Sequence, residues 1–350
     1  MKYYMPVLFC LFFMKASAQT PDSARLQWSA YAETYYSYDF NQPDNHNRPG
    51  FLYNHNRHNE FNINLAFVKA AYNAKNVRAN LALMAGTYAN ANLAAEPGVL
   101  KNIYEANVGL RLSPKVWIDA GIMPSHIGFE SAVSKDCWTL TRGLLAENSP
   151  YYESGVKLSI TPNDQWTIAA LVLNGWQRIN RPDGNNTPAF GTQVLYKPND
   201  RTTLNYSTFV GSDKPDDARL MRVFHNLYGI FQVSEHFGLT AGFDIGTEQK
   251  AKGKPEVNVW YTPVLIGRLT LNDQVALAAR YEYYSDENGV IIGPDFRTSG
   301  YSLNVDYAPR SNALFRVEGR LLQSKNDIFV TENGFSNTDF AITASMAVSF

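Results

Sequence analysis

The sequence predicts an all-β protein, a transmembrane antiparallel up-and-down β-barrel of about 16 strands. Three observations lead there. Apolar and polar residues alternate with period 2 over stretches longer than soluble strands need. The connectors between those stretches alternate strictly between long and short. The chain starts with a secretion signal, yet no later segment is apolar enough to cross a membrane as a helix.

The signal comes first. Met1 to Ala18 has a basic start at Lys2, an apolar stretch from Val7 to Met14 and a small-residue end, Ala16-Ser17-Ala18. That is the secretory pattern with its cleavage site; Lys15 is the one departure from it. Phe9 stands before Cys10 where a lipoprotein box needs a small residue, so no lipid attachment is expected. The expected organisation is a signal peptide over 1–18 and one outer-membrane β-barrel domain over 19–350. Cleavage leaves Cys137 as the only cysteine, so no internal disulfide can form.

The first strand runs from Leu26. Leu26, Trp28, Ala30, Ala32, Thr34, Tyr36, Tyr38 and Phe40 take one face, and Gln27, Ser29, Tyr31, Glu33, Tyr35, Ser37 and Asp39 the other. Soluble strands average about 5–6 residues. Further segments start near Asn59, Val77, Asn102, Val116, Ser154, Gln165, Ala189, Arg201, Arg222, Phe237, Val257, Gln274, Phe296, Ala313 and Thr338. Phe237 to Gly246 and Val275 to Tyr284 alternate cleanly. The segments near Asn102, Gln165, Arg222 and Val257 carry a residue or two on the wrong face. Pro263 interrupts the Val257 segment, and proline inside a strand is usually confined to an edge or bulge. The last segment alternates Phe340, Ile342, Ala344, Met346, Val348 and Phe350 against Asp339, Ala341, Thr343, Ser345, Ala347 and Ser349.

Short connectors carry Pro, Asn and Asp, residues that set turns by a fixed φ or by bonding their own backbone. The long ones span about 41–58, 88–101, 124–153, 175–188, 212–221, 250–256, 285–295 and 325–337. Outer-membrane barrels sort their connectors in this way, long outside and short in the periplasm. An even strand number then puts both termini on the periplasmic side.

The two faces differ as a lipid-facing wall requires. Aliphatics and strand-end aromatics (Trp28, Tyr36, Tyr38, Tyr283, Tyr307 and Phe350) share the apolar face. Lys69 and Arg297 also fall there, near strand ends, where long basic side chains reach the interface. The opposite face is the expected lumen wall: Arg78, Glu105, Arg111, Asp119, Lys157, Asp244, Arg280, Glu282, Arg316, Glu318 and Arg320, with Arg268 and Asp306 beside them. Charges in such number are costly if buried dry, and a water-filled lumen removes that cost.

Composition narrows the function classes. The 350 residues are 45% apolar and only 18% charged, against about 25% in ordinary globular chains. Net charge is -1, which argues against a nucleic-acid binder. The nucleophile, zinc-protease, P-loop and dinucleotide motifs are absent from the sequence, and no catalytic residue, metal or cofactor is expected. His46, His55 and His58, among asparagines in one long connector, read as a solvated external loop rather than a metal site. His126 and Glu130 stand four apart, but Pro124 and Gly128 oppose the helix that would align them. Asp216 and Asp217 read as a solvated turn.

The stretch Gly121 to Glu130, then Pro150-Tyr151-Tyr152-Glu153-Ser154-Gly155 and Asn174-Gly175-Trp176, resembles the outer-membrane β-barrel porin family, porin-2 group. The terminal strand ending in Phe350 is similar to those of bacterial outer-membrane proteins. The resemblance spans most of the mature chain. It implies an outer-membrane porin of a Gram-negative-type bacterium, passing small hydrophilic solutes by passive diffusion. It implies as partners the outer-membrane lipids, the barrel-assembly machinery acting through the last strand, and further copies in a homotrimer.

The connector 124–153 is the third long one and, at about 30 residues, exceeds what a connection needs. By the same resemblance its place in order implies a loop folded into the lumen. Its His126, Glu130, Lys135, Asp136, Arg142, Glu147 and Glu153 are the expected constriction, with loop carboxylates facing wall arginines across the channel. The alternative from another class is a secreted soluble all-β carbohydrate-binding protein, which would purify without detergent.

Overall fold

The computed structural model describes residues 24–350; the expected signal peptide and its cleavage point lie outside them. Among the described residues no helix is long and apolar enough to cross a membrane. Sixteen strands close into one antiparallel barrel. They are β1 (Arg25–Asp39), β2 (Phe61–Asn73), β3 (Val77–Ala85), β4 (Ile103–Ser113), β5 (Val116–Pro124), β6 (Tyr152–Asn163), β7 (Trp166–Leu173), β8 (Ala189–Asn199), β9 (Thr202–Gly211), β10 (Arg222–Gln232), β11 (Phe237–Gln249), β12 (Val257–Thr270), β13 (Val275–Asn288), β14 (Pro294–Arg310), β15 (Ala313–Ser324) and β18 (Thr338–Ser349). A small hairpin, β16 (Phe329–Thr331) and β17 (Gly334–Ser336), stands in the last long loop. Two short helices, α1 (Thr87–Asn92) and α2 (Leu144–Glu147), lie in the second and third.

Closure joins β1 to β18, with Tyr31 opposite Ser349 and Asp39 opposite Ala341. Every backbone edge is thereby paired, which a spanning sheet needs because lipid offers no hydrogen bonds. Each expected segment is a strand and starts within 2 residues of its predicted position. The seventh long connector is shorter than expected, 289–293, because β13 and β14 extend further at that end. Pro263 sits inside β12 opposite Phe243 of β11. On its other side the pairs run from Tyr261 with Ser285 to Val264 with Glu282, so the missing N–H falls in a gap of that ladder.

One face assignment is corrected. A bulge in β2 pairs Leu65 with Glu33 but Ile63 with Thr34, leaving Asn64 as the extra residue. Phe61 and Ile63 point outward, while Leu65 is fully buried inside. The parity beyond the bulge is therefore reversed, and Lys69 faces the lumen, where its Nζ meets Glu105. Asn64 itself points inward, donating from Nδ2 to Glu33 and accepting from the His55 N–H. Arg297 does lie on the outer face, 2.6 Å from Glu287.

Candidate functional site

The third long loop, residues 125–151, runs through the barrel. Its own apolar side chains draw it in. Ile127 and Leu144 pack with Phe209, Phe224, Trp260 and Tyr284. Ala132 and Val133 pack with Tyr31, Leu65, Met84 and Ile122 on the opposite wall. Leu145, with Phe129 and Trp138, packs on Val264 and Ile266. Each fully buried large side chain contributes about 1.5–3 kcal/mol relative to exposure.

Polar anchors fix the loop's height. Glu318 accepts from the Thr141 N–H at 2.6 Å and from its hydroxyl at 2.9 Å. Arg280 donates to Thr139 Oγ1 at 2.7 Å and to the Thr141 carbonyl at 2.6 Å. Arg316 donates to the carbonyls of Ser134 and Cys137. Asn304 accepts from Leu140 N–H, and Ser134 bonds both Tyr31 and Glu33. At the start of α2, Gly143 N–H donates to Glu130 and Leu144 N–H to Glu282. Two carboxylates thus satisfy N–H groups that a helix start leaves free.

The seven predicted loop residues are placed as follows. His126 Nδ1 lies 2.8 Å from Glu153, and its Nε2 donates to the Thr208 carbonyl at 2.9 Å. Burial opposes its charge, but Glu153 and that carbonyl raise its pKa overall. Burial raises Glu130, against the pull of Arg280 and Arg142. Burial pushes Glu147 up to about 7, against the Tyr53 N–H and Asn54 that bond it. Arg142 is wholly buried and clips the loop to itself, donating to the carbonyls of Ser131, Ala132 and Leu140. Lys135 reaches Ser349 of β18 at 2.6 Å, and Asp136 is exposed. The loop carboxylates are thus held largely by backbone N–H groups. The expected confrontation with wall arginines across an open gap is not the arrangement found.

The wall residues divide into two groups. At mid-barrel, Arg280 is 3.2 Å from Glu282 and 3.0 Å from Glu318, Arg320 is 2.6 Å from Glu282, and Arg316 is 2.7 Å from Asp306. All are at most 3% exposed. Carboxylates, hydroxyls and loop carbonyls compensate these charges in place of the expected water. Asp244 is equally buried, with Asn226 as its hydrogen-bond partner. Toward the short turns the lumen opens. Arg78 is paired with Asp119, Lys69 with Glu105, and Lys157 stands across the ladder from Asp119. Arg78, Glu105, Asp119 and Lys157 line a cavity of about 410 Å³ with Asn80 and Asn107. Arg111 sits at the turn rim, bonding the carbonyls of Ser113 and Pro114.

On the long-loop side, cavities of about 220 and 240 Å³ share Tyr53, Trp176 and Gln177. Arg222 stacks on Trp176 at 5.1 Å and lies 2.8 Å from Glu248. The first long loop is not the solvated segment expected. His55 is fully buried, 3.3 Å from Glu33 and edge-on to Tyr35, and His58 accepts from Asp39 N–H. Burial lowers the pKa of both histidines. Asp216 binds Asn186 and Thr187 at the surface. Among the described residues no group of three His, Cys, Asp or Glu side chains could hold a metal ion.

Sequence reasoning missed the apolar upper lumen, where inward-facing Phe209, Phe224, Trp260, Tyr284 and Phe296 receive Leu52, Trp176, Ile291 and Phe329 from the loops. The available signal was apolar residues at polar-face parity, at the long-loop ends of strands. Apolar residues within connectors supposed to be solvated were the matching sign.

A family model described as "Putative beta-barrel porin-2, OmpL-like" matches residues 25–350. No curated protein matches the sequence. Several solved structures share the fold. The anion-selective porin of Comamonas acidovorans is 8% identical, with a TM-score of 0.63 over 94% of this chain and 100% of its own. The outer-membrane channel DcaP of Acinetobacter baumannii is 11% identical, with a TM-score of 0.63 over 95% and 99%. OmpT of Vibrio cholerae is 13% identical, with a TM-score of 0.61 over 94% and 98%.

Proposed function

The chain belongs to the beta-barrel porin-2, OmpL-like family, and from that premise we propose that it conducts small hydrophilic solutes by passive diffusion around the loop 125–151. It is an outer-membrane porin channel, not an enzyme, and its surroundings are membrane lipid and solute. The observation that carries the finer reading is the loop's course through the lumen, clamped by Glu318, Arg280 and Arg316 between polar cavities above and below. In this reading His126, Glu130, Lys135, Asp136, Arg142, Glu147 and Glu153 belong to the element that sets the bore. The wall charges from Arg78 to Lys157 form the vestibule on the short-turn side. Charges in a narrow, partly desolvated passage act more strongly than in bulk water. Planar-bilayer recording of purified protein tests this: discrete, ohmic steps are expected, and their absence in correctly folded protein overturns it.

The same proposal places both termini and the short turns in the periplasm, with processing after Ala18. The connector sorting and the Ala16-Ser17-Ala18 site support it. A tag in 41–58 or 175–188 should be reached on whole cells and one at Asn163 should not. Membrane-derived protein should begin at Gln19. Phe350, 77% exposed at the open end of β18, is available to the barrel-assembly machinery. A homotrimer is expected from the family likeness, and native mass measurement in detergent tests it.

A further inference from the structure

A row of lumen-facing side chains crosses β10 to β14 at one height. The registers pair Asn226 with Asp244, Asp244 with Thr262, and Tyr284 with Thr298. Thr262 and Tyr284 face one another between the pairs Tyr261–Ser285 and Val264–Glu282. All five side chains are at most 1% exposed. Asn226 donates to Asp244 Oδ1 and is itself held by Gly128 N–H of the loop. Beyond that, Asp244 Oδ2, Thr262 Oγ1, Tyr284 Oη and Thr298 Oγ1 have no hydrogen-bond partner. Apolar groups close the row on both sides: Val264, Phe129 and Leu145 at the Gly242 level, and Trp260 at the Gly246 level.

A carboxylate taken from water costs several kcal/mol unless a charge or hydrogen bonds compensate it. Asp244 has one amide donor and, among the described residues, no basic partner. Protonating it would remove the charge but would still leave the hydroxyls of Thr262, Tyr284 and Thr298 without partners. The neighbouring hydroxyls each lose about 1–3 kcal/mol if left unpaired. Buried water can pair with such oxygens, but a hard cation takes carboxylate and hydroxyl oxygens together and also compensates the carboxylate's charge. With one carboxylate and otherwise neutral oxygens, the site has the charge for a monovalent ion.

We propose that Asp244 and the hydroxyls of Thr262 and Tyr284 form an alkali-metal cation site in the barrel wall. The test uses the whole purified barrel in detergent, with thermal midpoints in KCl, NaCl and choline chloride at equal ionic strength. Wild type should melt higher in KCl or NaCl than in choline chloride, by about 2 °C or more. Asp244→Asn should lose that difference and be no less stable than wild type in choline chloride. Should that variant fail to fold, Thr262→Val carries the same comparison with a reduced difference. Crystals grown in RbCl should show an anomalous peak within bonding distance of Asp244 Oδ2. Equal wild-type midpoints in all three salts, a cation dependence that Asp244→Asn retains in full, or no rubidium peak at Asp244 would each overturn the proposal.

Discussion

Glu318→Gln is the sharpest perturbation of the loop's anchorage. The carboxylate is 1% exposed and accepts three hydrogen bonds, from Thr141 N–H, Thr141 Oγ1 and Arg280, at 2.6, 2.9 and 3.0 Å. The amide keeps the shape but turns one acceptor into a donor facing donors. Breaking one side of a buried ion pair costs about 3–5 kcal/mol. Arg280 keeps Glu282 at 3.2 Å, so the lower end applies. About 3 kcal/mol changes the ratio of released to anchored loop roughly 100-fold, at tenfold per 1.4 kcal/mol. Thr141→Val removes the two bonds of the hydroxyl, one given to Glu318 and one taken from Arg280, and should cost about 2 kcal/mol. In planar bilayers the Glu318→Gln channel should show a larger, noisier open level, with Thr141→Val between it and wild type. A Glu318→Gln barrel that assembles normally yet conducts quietly at the wild-type level would refute the anchorage argument.

Burial holds Glu147 at about 7 against an ordinary 4.5, so the folded state binds its proton more tightly than the unfolded chain. Stability from this group is full below pH 4.5 and is lost as pH rises to 7, by about 3 kcal/mol. Urea midpoints at pH 5 and pH 8 should therefore favour pH 5, with Glu147→Gln flattening the difference; an unchanged slope in that variant contradicts the assignment. Because the bulge turns Lys69 inward, Lys69→Cys should react with a water-soluble thiol reagent and not with a lipid-phase one, against the buried thiol of Cys137. The opposite labelling would restore the lipid-facing assignment. Gly121 and Gly155 face each other across β5 and β6, and a Cβ on Gly155 would lie 2.0 Å from the Val172 carbonyl oxygen. Gly155→Ala should lower the thermal midpoint, as overpacking that costs about 1–3 kcal/mol does; an unchanged midpoint would mean the ladder gives way freely.

Strand positions were legible because period-2 alternation is a direct image of a wall between lipid and lumen. The bulge was not. Phe61, Ile63, Leu65 and Phe67 continue one apolar period through it, yet Leu65 is spent on the lumen cluster with Tyr31, Ala132 and Val133, and Phe67 packs against that cluster. No local pattern separates an apolar residue facing lipid from one facing an inserted loop. The same ambiguity hid the upper lumen, where Trp260 and Phe224 serve loops rather than the bilayer. Which carboxylates the loop residues meet depends on the ring of neighbours that closure brings together. Glu318 and Thr141 stand 177 positions apart, and nothing in the sequence near either names the other.

The role of loop 125–151 in setting the bore is tested most directly by the conductance of a barrel in which residues 131–146 are replaced by a short Gly-Ser linker. That change removes Arg142 with its three carbonyl bonds, the Thr141 clamp and most of α2, while leaving both ends of the loop on β5 and β6. The variant should assemble, keep its strands and conduct at a markedly higher single-channel level than wild type in the same salt. An assembled variant with unchanged conductance would show that the passage is set elsewhere.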